Sequence, residues 1–386
     1  MKHIFKNIKT KIKNWTPFQK RYIPIFSSLA LTFILSIVLI FALPAVTHNL
    51  LSNPNNKNPR SGWLTRLAAP YIDMSGWVDT ASAYSINGVP NLEKLSKESG
   101  FPYFNLGFIQ PDQTTPLEAD GTIRWGWGGY YTLGEAGGSS SKQYQGIKTS
   151  IQSLRNIGGD YAISVGGQVG HAPWVVTQNV DKLEEFYLDI IKTYSLKRLD
   201  LDIEESNQDY QQNIANAKAI KRVQDKTNIE ITLTIPIMPS GWQDKQIKII
   251  KAYLTEGVFV SLFNSMTMCY GSGVYANEDY GTASVRAITN SINQLKNIYA
   301  DFGQSLTDDQ AYLKTGATFS IGYENSLYPT FTLDMANTIV GDAIKHNYGM
   351  VSMWSMGRDA MLSPNQAITS QYNYTKILQK YNNDKN

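Results

Sequence analysis

The chain has 386 residues, 42% hydrophobic and 17% charged, with no low-complexity tract, which excludes a disordered protein and suits one large α/β barrel or two domains. Its formal charge of +3 is uneven: residues 1–21 hold seven Lys/Arg and no acid, so the remainder carries 28 basic against 32 acidic residues, a balance that argues against nucleic acid as the partner. The one cysteine, Cys269, rules out an intrachain disulfide, and His3, His48, His171 and His346 show no ligand spacing, so neither a metal nor a cofactor is expected.

In chain order, residues 1–22 form a basic segment that precedes an uncharged, apolar run, IPIFSSLALTFILSIVLIFALPA, over 23–45. As a helix this run would span roughly 35 Å, enough to cross a bilayer. The basic flank belongs on the cytoplasmic side, which puts the rest of the chain outside. The run reads as an uncleaved transmembrane anchor. A cleaved signal peptide, leaving a secreted protein, is the alternative, although Leu43 replaces the usual small residue before a cut after Ala45. A polar, Asn- and Pro-rich linker follows over 46–61, and residues 62–386 form the main domain.

Within that domain eight short apolar or β-branched runs read as strands: 70–77, 103–110, 161–167, 198–205, 229–238, 259–268, 316–324 and 348–356. Amphipathic stretches with apolar residues at i, i+3 and i+4 lie between them, for example 181–196, 213–224, 285–303 and 333–349, and 370–383 closes the chain. Strands alternating with helices mean parallel pairing with crossovers. Eight such units predict an α/β fold, a (β/α)8 TIM barrel. An open doubly wound sheet is the competing topology, but no GxGxxG or P-loop accompanies it.

The stretch LDLDIEES (199–206) carries the chemistry. Side chains alternate along a strand, so Leu199, Leu201 and Ile203 face one side and Asp200, Asp202 and Glu204 the other. In a barrel the apolar set meets the helices and the acids point inward, climbing toward the C-terminal mouth where active sites of this fold sit. A solvated charge run fits poorly, because the alternation demands one buried face. Crowded carboxylates raise one another's pKa, which is how one of them stays protonated near neutrality as a proton donor.

These residues resemble glycoside hydrolase family 18, whose DxxDxDxE signature ends the fourth barrel strand; the matching window is Lys197 to Glu204. SVGG (164–167) resembles the family's SxGG, MTMCY (266–270) its motif after the sixth strand, and Trp354 its tryptophan beneath the sugar. The resemblance covers about residues 68–365. It implies Glu204 as general acid and base, Asp202 orienting the substrate's acetamide and Asp200 tuning Asp202, in substrate-assisted retaining hydrolysis. Gly167, Met268, Tyr270 and Trp354 are the implied binding residues. Two departures stand out. Lys197 replaces the first Asp, where it could help hold Asp200 ionised. Cys269 replaces an Asp after the sixth strand; Tyr270 could supply a hydroxyl instead, and Cys269 itself reads as a small buried hydrophobe.

Six of the eight tryptophans, Trp77, Trp125, Trp127, Trp174, Trp242 and Trp354, fall near strand C-terminal ends or the loops after them, where indole planes could bury sugar faces. Trp127 and Trp242 join the binding candidates, and the long Gly- and aromatic-rich loop DGTIRWGWGGYYTLGEAGGSSS (120–141) suits a binding wall. The function expected is a membrane-tethered, monomeric chitinase-like hydrolase outside the cell acting on β-1,4-linked N-acetylglucosamine polymers. The alternatives are an endo-N-acetylglucosaminidase on N-glycans or cell-wall sugars, and a glycan-binding lectin on the same scaffold.

Overall fold

The computed structural model describes Trp63 and residues 66–271, 273–274 and 278–384. The basic segment, the apolar run 23–45 and the linker lie outside the described residues, among which no helix is long and apolar enough to cross a membrane.

The fold is mixed α/β around a curled, mainly parallel sheet. In chain order the strands are β1 (Leu67–Ala68), β2 (Tyr71–Asp73), β3 (Ser85–Ile86), β4 (Val89–Pro90), β5 (Tyr103–Pro111), β6 (Trp125–Trp127), β7 (Asp160–Gly166), β8 (Arg198–Asp202), β9 (Glu230–Pro236), β10 (Val260–Met266), β11 (Thr315–Ser320) and β12 (Met350–Trp354). The helices are α1 (Leu92–Ser99), α2 (Lys142–Asn156), α3 (Pro173–Val176), α4 (Val180–Tyr194), α5 (Tyr210–Thr227), α6 (Asp244–Thr255), α7 (Tyr280–Asp301), α8 (Asp308–Leu313), α9 (Leu333–His346), α10 (Met356–Met361) and α11 (Asn373–Asn383). Each of the eight runs expected from the sequence overlaps one strand of the main sheet, the bounds differing by a residue or more at the ends, and the sheet order is β1-β12-β11-β10-β9-β8-β7-β5-β2.

The two end strands of that order, β1 and β2, are successive pieces of one segment, separated by Ala69 and Pro70. Leu67 and Ala68 pair with Met350 and Val351, and Tyr71–Asp73 pair with Asn105–Gly107 on the other side. Across the break the Ala69 amide donates to Val351 O at 3.1 Å and the Asn105 amide to Pro70 O at 3.0 Å. Proline lacks an N–H, so it sits where the ladder changes partner. Helix α11 fastens this seam: Ala68 N donates to Asn382 Oδ1 at 2.7 Å and Arg66 pairs with Asp384 at 2.6 Å.

Two additions decorate the sheet. β6 runs antiparallel to the end of β5. β3 and β4 form a separate hairpin around Asn87-Gly88, with φ of 53° and 88°, the left-handed pair that a tight two-residue turn demands. On β8 the alternation is kept: Leu199, Leu201 and Ile203 join the continuous apolar core, while Asp200 and Asp202, equally buried, face into the curl.

Candidate active site

The acids on β8 meet polar side chains from across the interior. Asp200 Oδ2 accepts from Tyr71 Oη and from Ser164 Oγ, each at 2.7 Å, and Oδ1 accepts from Thr234 Oγ1 at 2.6 Å. Tyr71 lies on β2, separated from β8 by the two strands β7 and β5 in the sheet order, so this contact spans the inside of the curl. Asn264 Nδ2 donates to Tyr71 Oη at 3.1 Å and to Thr234 Oγ1 at 3.0 Å, and Thr318 Oγ1 donates to Asn264 Oδ1 at 2.9 Å. Strands β2, β7, β8, β9, β10 and β11 thus share one buried network. Burial pushes the Asp200 carboxyl up, opposed by its three hydroxyl donors and by Arg198; burial likewise raises the Tyr71 phenol.

Asp202 stands one step nearer the mouth. Its Oδ1 is buried with no hydrogen-bond partner among the described residues. Burial, then the charges of Glu204 and Asp200, push it well above the usual carboxylate range. The chain here packs closely against β7: Gly166 pairs with Asp202, has φ of 115°, and leaves only 2.2 Å between a Cβ built on it and Asp202 O, so only glycine fits. Gly167 is equally constrained, with φ of 95° and Phe108 3.2 Å from a built Cβ; its carbonyl accepts from Asn207 Nδ2 at 2.9 Å.

Glu204 follows the strand end. It is partly buried, and burial, then the neighbouring Glu205, pushes its carboxyl up to about 7. Trp354, at the end of β12, lies 6.4 Å from the Tyr71 ring and 5.4 Å from Phe108, centroid to centroid, and stays partly exposed. An indole platform, a buried acceptor and a protonatable acid therefore share one end of the sheet.

No protein-family model matches the chain. A probable bifunctional chitinase/lysozyme of Escherichia coli K12 is 31% identical over 315 residues, 78% of this chain and 32% of that protein. Endochitinase 11 of Metarhizium anisopliae is 31% identical over 316 residues, 78% of this chain and 54% of that protein. The chain thus spans about a third and about half of the length of these curated relatives. The catalytic domain of a hyperthermophilic chitinase from Pyrococcus furiosus superposes with a TM-score of 0.67 at 26% identity, covering 86% of this chain and 98% of that one. The chain is chitinase-like in sequence and in fold.

Several sequence expectations need correction. Trp127 is fully buried and its Nε1 donates to Tyr194 Oη at 2.8 Å, so it packs on α4. Trp242 is 2% exposed and packs near Phe263. Trp125 and Trp174 are core residues as well, bonded through Nε1 to Asp189 at 3.0 Å and to Asn207 O at 2.8 Å. Of the six mouth candidates only Trp77, 68% exposed, and Trp354 present surface of any extent. Tyr270 is buried and its hydroxyl donates to Ser284 Oγ on α7 at 3.1 Å, toward the helical layer. Met268 is partly buried against the core.

Both departures from the signature also come out differently. Lys197 is exposed and pairs with Asp160 at 3.3 Å. The cation that favours ionised Asp200 is Arg198, itself buried and bonded to Glu230 at 2.6 and 3.0 Å. Cys269 is solvent-exposed rather than a buried hydrophobe. Desolvation still leads the influences on its thiol, which is pushed up to about 12, followed by Glu324 and Glu204, with Arg358 opposing.

The sequence reading missed Tyr71, Ser164, Thr234 and Asn264 around Asp200, and Ser320, Glu324 and Arg358 beside Trp354. A signal existed for the first four. Each is a polar residue on a largely buried strand of the main sheet. Glu324 and Arg358 lie beyond strand ends, where no periodicity marks them.

Proposed function

We propose that this chain hydrolyses β-1,4-linked N-acetylglucosamine polymers with retention, using the substrate's own acetamido group as nucleophile and Glu204 as general acid and base, within a closed (β/α)8 barrel. The observation that carries the reading is the pairing of Glu204, raised to about 7, with Asp202, whose buried Oδ1 has no partner among the described residues. A carboxylic acid poised near neutrality donates to the glycosidic oxygen. As that bond breaks, the acetamido oxygen attacks the anomeric carbon, and the acetamide N–H donates to Asp202 Oδ1, which orients the group and stabilises the oxazolinium. Water then attacks the anomeric carbon, and the Glu204 carboxylate takes its proton, restoring the starting state. Asp200, held by three hydroxyl donors, keeps Asp202 in place from below.

The named activities of the relatives support this substrate class; an endo-N-acetylglucosaminidase or a glycan-binding protein is the competing outcome. Hydrolysis of N-acetylglucosamine oligomers separates them. Glu204→Gln is expected to abolish turnover, by at least about a thousandfold in kcat, while leaving oligomer binding largely intact. Equal turnover by parent and variant would remove Glu204 from its role. We further propose that residues 23–45 anchor a monomer in the cell membrane with the barrel outside, which fractionation of the full chain between membrane and soluble pools checks.

A further inference from the structure

We propose that Glu324 is a positioning residue of this site: with Ser320 it anchors Arg358 against Trp354, so that the indole keeps the attitude a sugar ring requires. The proposal rests on the reading of Trp354 as the sugar platform.

The backbone beneath the indole is fixed first. Ser320, the last residue of β11, pairs with Trp354 in register, and Ile321 N donates to Trp354 O at 3.0 Å. The ring itself is less constrained, with Phe108 and Tyr71 as its aromatic neighbours. Arg358, on α10, brings its guanidinium 5.9 Å from the indole centroid, a cation–π distance. That guanidinium is not free to swing. Nη1 donates to Ser320 Oγ at 3.0 Å and to Glu324 Oε1, Nη2 reaches Glu324 Oε2 at 3.5 Å, and the Ser320 hydroxyl also donates to Glu324. The three side chains close a triangle, and the rigid fork of arginine holds its plane within it.

A merely superficial ion pair would contribute little. Here the side chains of Arg358 and Glu324 are only 16% and 25% exposed, and the same guanidinium meets the indole. Deprived of Glu324, Arg358 would keep the Ser320 hydroxyl and the nearby Cys269 thiol, on which it already acts electrostatically, but no carboxylate of its own.

The test uses the full chain. Glu324→Gln should raise KM for N-acetylglucosamine oligomers about tenfold, the scale of losing a charge-assisted contact, with a smaller change in kcat. Glu324→Asp should retain part of the parent value. Adding Cys269→Asp to Glu324→Gln should recover most of the loss, because Arg358 again meets a carboxylate. Alkylation of the sole thiol against pH reports the cluster without any turnover: Glu324→Gln should move the titration of Cys269 downward. Oligomer binding followed by tryptophan fluorescence decides the matter even if the parent proves inactive, an outcome that would sink the hydrolase reading alone. An unmoved thiol titration, an unchanged KM and oligomer affinity, or a double variant without recovery would each overturn the role given to Glu324.

Discussion

Glu204 shows how position alone makes an acid. Its carboxyl leaves the strand at the mouth, and burial followed by the adjacent Glu205 pushes it up to about 7. The groups facing this corner are Asp202 on β8, Glu205 on its own segment and Cys269 after β10. Glu205 is exposed, so its influence passes partly through water. Replacing it with Gln removes a negative charge and should move the basic limb of the kcat/KM–pH profile to lower pH. The difference from the parent should shrink as ionic strength rises, since screening acts on exposed charges. A limb that stays put in Glu205→Gln would leave burial as the whole cause. The three acids were legible in the sequence because a two-residue period against Leu and Ile leaves them one face. Glu324 and Arg358 were not, because their meeting depends on the loop after β11 and the short helix α10, which share no pattern.

At the scale of elements, β7 and β8 pack with no room to spare. A Cβ on Gly166 would lie 2.2 Å from Asp202 O, at a φ of 115°. Gly166→Ala should therefore cost about 2 kcal/mol or more in stability and lower kcat/KM by displacing Asp202, as denaturant midpoints and steady-state kinetics would show. Full activity and an unchanged midpoint would contradict that packing. Strand positions were the most legible feature, because each buried strand is a short apolar run between turn residues. The tryptophans were the least. Trp125 and Trp127 stand in a glycine-rich stretch that reads as open loop, yet β6 pairs with β5 and folds both indoles onto α4. Composition gave no hint of that antiparallel return. The Asn87-Gly88 hairpin carried its own turn signal, and its two-residue strands were too short to stand out.

For the whole molecule, the inward acids set how stability responds to pH. Asp200, Asp202 and Glu204 all have carboxyls raised in the folded state, so these groups bind more protons folded than unfolded and their contribution to stability falls as pH rises. For Glu204 the window runs from 4.5, its ordinary value, to about 7. Thermal melts should show Tm declining across it. Glu204→Gln should flatten that decline and gain about 1–2 kcal/mol at pH 8, the shift discounted for partial exposure. A Tm that climbs through this range would reverse the sign. The seam between β1 and β12 has a consequence in time. Ala68 donates its amide to a residue 314 positions downstream, and Arg66 pairs with one 318 away. Loop-closure entropy over such spans must be met before those contacts can return anything. During synthesis the outer edge of β1 therefore stays bare until β12 and α11, far downstream, have emerged.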